Sequence, residues 1–139
     1  MYDFLKGIVK IYKNNAALSS ITNGMGVGRA PIEGTSDADY PFIICYMIDN
    51  IPTWTFGPTT FERPTVQFTI LSDKTESMSE VTQIWSNLVA AYDNATLSMD
   101  NYNHILLQRR GTTGPTIYEE DNKEMVQMTV DYECMIEQK

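Results

Sequence analysis

The sequence predicts an α+β domain: an antiparallel or mixed sheet packed by two helices, with extended loops or arms. Three observations carry the prediction. Met78, Val81, Ile84, Trp85, Leu88, Val89 and Tyr92 recur at spacings of three and four, which is one face of a helix. Val126, Met128, Val130, Tyr132, Cys134 and Ile136 alternate with Gln127, Thr129, Asp131 and Glu133, which is the period of a strand with one buried face. The segment Tyr40 to Ile48, YPFIICYMI, is apolar at both parities and reads as a central strand. Strands on either side of one strongly amphipathic helix imply helices gathered on one face of the sheet.

In chain order, Phe4, Leu5, Ile8, Ile11 and Tyr12 share one face of an opening helix. Lys6, Lys10 and Lys13 fall away from that face, and Asp3 is the expected N-cap. Leu18 and Ile21 suggest a further short turn before Thr22-Asn23-Gly24 breaks it. Residues 24–39 read as a polar connection with a short strand near Val27 to Ala30. Pro41 belongs at the very start of the strand that follows. Residues 49–64 read as a second irregular region, or as a strand–turn–strand arm with Trp54, Phe56 and Phe61 on one side. Val66, Phe68 and Ile70 then alternate with Gln67 and Thr69. Asp73 with Glu76, and Ser77 with Glu80, both have capping-box spacing ahead of the main helix, and Asp93-Asn94 ends it. Ile105 to Arg109 reads as a strand, and residues 110–122 as an exposed turn or hairpin tip. The length of 139 residues fits a single domain over 1–139.

Composition narrows the function classes. Eighteen acids against ten bases give a formal charge of −8, which disfavours general nucleic-acid binding, because phosphate contacts need a basic face. No apolar run approaches a membrane span, and the N-terminal pattern is amphipathic rather than a basic stretch followed by an apolar one, so neither a membrane partner nor a secretory leader is expected. The two cysteines, Cys45 and Cys134, lie in apolar strand-like runs and are expected as buried thiols of a reducing compartment, with a disulfide as the alternative.

The chemistry-bearing residues are few. His104 is the only histidine, and its neighbours Tyr102, Ile105 and Leu106 look structural. One histidine and two buried thiols do not make a tetrahedral zinc site, so no metal and no cofactor are expected. Gly24-Met-Gly-Val-Gly28 lacks the G-x-G-x-x-G spacing and is followed by Pro31 instead of a helix, so it reads as a hinge or turn. Glu119-Glu120-Asp121 is either a solvated loop tip or a site for a hard cation, and Arg109-Arg110 are suited to carboxylates of a neighbouring subunit. No nucleophile or paired-carboxylate signature stands out, so no enzyme is expected. Trp54, Phe56 and Phe61, set among Pro, Gly and Thr, are either interface anchors or a cover for the edge of the chain's own core.

The layout resembles the small tail-completion, tail-terminator or head–tail joining proteins of long-tailed bacteriophages. The features that carry the resemblance are the opening helix Tyr2 to Lys13 followed by Ala16-Ala17-Leu18, a Gly-rich stretch, Tyr40-Pro41-Phe42-Ile43-Ile44, and the strand Pro64 to Asp73 leading into the main helix. Ile84, Leu88, Val89 and Tyr92-Asp93 in that helix, Leu97 after it, and the final strand with Val130-Asp131-Tyr132 complete it. The resemblance implies a non-enzymatic virion protein, assembled in a bacterial host's cytoplasm into a ring, commonly hexameric. Such a ring caps the tail tube and meets a neck or head-completion protein, and DNA passes through its lumen without sequence-specific binding.

Within that reading, Trp54, Phe56 and Phe61 are expected at the subunit interface with Arg109 and Arg110 at its polar rim. Glu119, Glu120 and Asp121 are expected to face the channel: six copies at −8 each carry −48, and residues 119–139 hold seven acids against two lysines. The alternative function is a small acidic protein-binding or regulatory module acting as a monomer or dimer.

Overall fold

The computed structural model describes residues 2–33, 36–37, 39–54, 60–73 and 78–139. The chain opens with helix α1 (Tyr2–Asn14) and a single-turn helix α2 (Ala16–Ser19), followed by strands β1 (Met25–Val27), β2 (Ile32–Glu33) and β3 (Ser36–Asp37). Two long strands, β4 (Phe42–Trp54) and β5 (Thr60–Ser72), precede helix α3 (Met78–Tyr92), and strands β6 (Tyr102–Glu120) and β7 (Lys123–Gln138) close the chain. The main sheet has the order β1-β4-β5-β7-β6, and β2 pairs with β3 in a small separate ribbon. All neighbours in the main sheet are antiparallel except β1, which runs parallel to β4 with Met25 opposite Ile43. The result is a mixed α+β architecture, as the alternation and helical periodicity predict.

The core lies between one face of the sheet and the helices. The register sets Cys45, Phe68 and Val130 in one row across β4, β5 and β7, and Ile43, Ile70 and Met128 in the next. All six are buried. Helix α3 lays Val81, Ile84, Leu88 and Tyr92 onto this surface, and α1 adds Phe4, Ile8 and Tyr12. Burying this many large apolar side chains, each worth about 1.5–3 kcal/mol, supplies the main favourable term of folding. At its centre the Phe68 ring is 4.6 Å from that of Tyr92 and 5.8 Å, edge-on, from that of Tyr132.

Several polar groups that enter the core are satisfied locally, whereas the buried Ser72 hydroxyl has no hydrogen-bond partner among the described residues. Thr22 donates its hydroxyl to the Leu18 carbonyl oxygen (3.1 Å), which leaves its oxygen to accept from Tyr12 at 2.7 Å. Tyr132 donates to Asp93 Oδ1 at 2.7 Å, at the point where α3 ends. Asn15 caps α2 through its side-chain oxygen, which accepts from the Leu18 amide. Gly26 is required in β1: a Cβ there would collide with the Arg29 carbonyl oxygen and the Pro31 nitrogen, so the chain folds back over the strand only because no side chain intervenes. The Gly24–Gly28 run is therefore an edge strand and turn.

The structure departs from sequence expectation in two places and decides two alternatives the sequence left open. Asp3 lies inside the first turn of α1 instead of capping it, and its carboxylate accepts from the Asn101 amide at 2.8 Å, which ties the helix start to the segment before β6. Of the two readings of residues 49–64, the paired-strand one holds: residues 49–54 and 60–64 are antiparallel strand. The prolines are tolerated because Pro52 lies in the part of β4 that β1 does not reach, and the β5–β7 ladder skips Pro64. Residues 110–120 are strand rather than loop. Irregularities at Arg110 and at Gly114-Pro115 absorb the residues that do not fit a regular ladder. The turn itself is Asp121-Asn122 alone, with φ of 51° and 62°, the conformation that closes a two-residue hairpin. Cys45 and Cys134 are both free and buried, as expected, and the disulfide alternative fails. The proposed capping-box positions Glu76 and Ser77 lie outside the described residues.

Candidate assembly surfaces

Burial of the thiols removes the obvious nucleophiles. Desolvation pushes both Cys45 and Cys134 up to about 12, so each is a neutral thiol at physiological pH. His104 is in β6 opposite Ile136, and its Nδ1 is buried without a hydrogen-bond partner. Desolvation lowers its pKa, which favours the neutral imidazole. Among the described residues, no group of three His, Cys, Asp or Glu is placed to hold a metal ion. Three surface features are distinctive.

One is the sheet face turned away from the helices. Glu133 of β7 takes Arg63 from β5 on one oxygen and Arg110 from β6 on the other, with the Arg63 Nε bond at 3.0 Å. The carboxylate is 14% exposed, while its two arginines are 45% and 62% exposed, so the pair covers the anion and presents donors outward. One row along, Tyr46 donates to Gln67, which donates to Asp131 Oδ1 at 2.9 Å. Ile48 and Ile51 are exposed beside this polar ladder, and together with Asp49 and Arg63 they border a recess of about 400 Å³. The irregularity at Met47/Asp49 re-aims the backbone there.

Arg109 goes the other way. Its guanidinium meets Asp93 Oδ2 at 3.3 Å and stands 5.6 Å from the centre of the Trp85 ring, so it buttresses the end of α3. Adjacent in sequence, Arg109 and Arg110 thus serve opposite faces of the sheet, each with a carboxylate of the same chain.

A second surface is a groove of about 450 Å³ between α1 and the edge strand β1. Tyr2, Leu5 and Val9 form its helical wall, and Val27 its strand wall. Lys6, Lys10 and Lys13 line it as well, and the Lys6 ammonium lies 5.3 Å from the Tyr2 ring centre. Periodicity exposed these lysines as lying off the apolar face. That they meet an edge strand depends on the parallel β1–β4 pairing, which leaves no periodic signal.

The third is the far end of the β6–β7 hairpin. The last β5–β7 pair is Ser72 with Val126, and the hairpin continues through Tyr118–Met125, Glu119–Glu124 and Glu120–Lys123. Three residue pairs at about 3.4 Å each carry the tip about 10 Å beyond the sheet. Glu119, Glu120 and Asp121 are all exposed there. Of the expected aromatic anchors, Phe61 is half-buried in β5 opposite Glu137. Trp54 ends β4, its side chain outside the described residues, and Phe56 lies outside them altogether.

No family model and no curated protein matches the chain. Among solved structures, a chain of the virion of a native gene transfer agent particle superposes with a TM-score of 0.69 over 99% of this chain and 99% of its own, at 8% identity. A second solved chain, 11% identical, superposes with a TM-score of 0.56 over 96% of this chain and 95% of its own. At these identities what is shared is the fold, from end to end.

Proposed function

We propose that this chain is a virion structural protein of a tailed, phage-like particle, and that it works by assembling with copies of itself into a ring at the head–tail interface. In this reading the ring, commonly hexameric in such particles, caps the tail tube, joins it to a neck or head-completion protein, and lets DNA pass through its lumen. The observation that carries the proposal is the fold shared over full length with a chain of the gene transfer agent virion. One feature of this chain supports it. A ring subunit needs protruding elements that reach a neighbour, and the β6–β7 hairpin extends three residue pairs past the last β5–β7 pair.

The assembly chemistry is interface burial. In this reading Trp54 and Phe61 anchor a contact, with Arg110 at its polar rim, where it shares Glu133 with Arg63. At −8 per copy, any acids that line the lumen would repel the DNA backbone rather than retain it.

The test is location. Gold-conjugated antibody against the chain should label purified particles once, at the junction of head and tail. Label spread along the tail or over the head shell would overturn the assignment, and particles that carry no label would move the chain to the alternative of an acidic binding module.

A further inference from the structure

The groove beside α1 is an electrostatic exception. In a chain of charge −8, three of the ten bases, Lys6, Lys10 and Lys13, line one apolar slot. Its walls are incompletely covered: Tyr2 is 78% and Val27 43% exposed. The hairpin tip is its complement. Glu119, Glu120, Asp121 and Glu124 surround a single Lys123, and Ile117 just behind them is 52% exposed. An apolar slot with a positive rim fits an apolar residue followed by a run of carboxylates.

The two features lie toward opposite edges of the sheet. β1 is one edge and β6 the other, with β4, β5 and β7 between them. Four inter-strand spacings of about 4.8 Å separate the edges by about 19 Å. Complementary surfaces on opposite edges make a heterologous contact between copies, and such contacts close into rings when the rotation per copy divides the circle. Resting on the ring reading above, we infer that the acidic tip of the β6–β7 hairpin of one copy seats in the lysine-lined groove between α1 and β1 of the next. Ile117 packs against Val27 and the Leu5–Val9 wall, and the carboxylates meet the lysines. The apolar contact supplies affinity, and the charges select the partner surface and speed encounter.

Two charge-swapped chains test this. One carries Lys6→Glu and Lys10→Glu, and the other Glu119→Lys and Glu120→Lys. All four positions are exposed, so both chains should melt like the parent. By native mass spectrometry the parent should form a closed ring. Each swapped chain alone opposes like charges across every contact and should lose at least about tenfold in apparent association constant. Mixed one to one, acidic tip meets basic groove and basic tip meets acidic groove, so rings of alternating composition should return. If the parent forms rings and each swapped chain does so equally well alone, the contact is elsewhere and the inference fails while the ring reading stands. Swapped chains that assemble normally but slow DNA passage would likewise overturn it and return the tip to the channel. A parent that stays monomeric, even with tail tubes added, overturns the ring reading itself.

Discussion

The Tyr92 hydroxyl donates to the Ile8 carbonyl oxygen at 2.7 Å, so the last turn of α3 is pinned to the middle of α1 across 84 residues of chain. The contact is buried, and desolvation holds the phenol neutral by raising its pKa far above the usual range. Tyr92→Phe leaves a buried carbonyl with one bond fewer and should cost about 1–3 kcal/mol, seen as a melting temperature lowered by roughly 3–10 °C. An unchanged melting temperature would mean that the ring packing alone fixes the two helices.

Phe68 is the centre of the core, touching both Tyr92 and Tyr132. Phe68→Ala should cost about 3–5 kcal/mol, because it removes the transfer energy of a ring and leaves a cavity that the flanking rings only partly fill. Urea unfolding measures it directly.

The two thiols give a prediction with a definite sign. Both rise from 9.0 to about 12 on folding through burial. Between those values the folded chain holds protons that the unfolded chain has lost, so stability is complete below about pH 9 and falls as pH rises toward 12. The loss is on the order of 1 kcal/mol per thiol at pH 10. Relative to the parent, Cys45→Ala should lose less stability between pH 8 and pH 10. In the native state both thiols should resist alkylation at pH 8 and react only on unfolding.

Trp54 divides two accounts of the β4–β5 arm. As an interface anchor, Trp54→Ala should lower ring formation by at least about tenfold while leaving the melting temperature of the monomer within about 2 °C. A monomer that melts much earlier would place Trp54 in the chain's own core.

Much of the fold was legible in the sequence because its strongest signals are local. The α3 stripe and the Val126–Ile136 alternation each follow from one face being buried, and both appear in the structure at the expected positions. What was not legible depends on distant pairing. Residues 110–120, with two glycines, a proline and several threonines, carry loop composition, yet they are held extended by β7, and their misfit is taken up in local irregularities. Pro52 and Pro64 misled for the same reason, since proline matters only where the ladder needs its N–H. The sequence showed Arg109 and Arg110 as a pair, but neighbouring strand residues point to opposite faces, and each finds a different carboxylate of its own chain. The groove required knowing that β1 returns beside α1, a relationship no window of sequence contains.

The most direct test of the central claim is electron microscopy of a lysate in which the parent particle is made with this gene silenced. The ring reading predicts filled heads unattached to tails, and tails of uncontrolled, excessive length. Intact heads joined to tails of normal length, in particles that still deliver DNA, would contradict it.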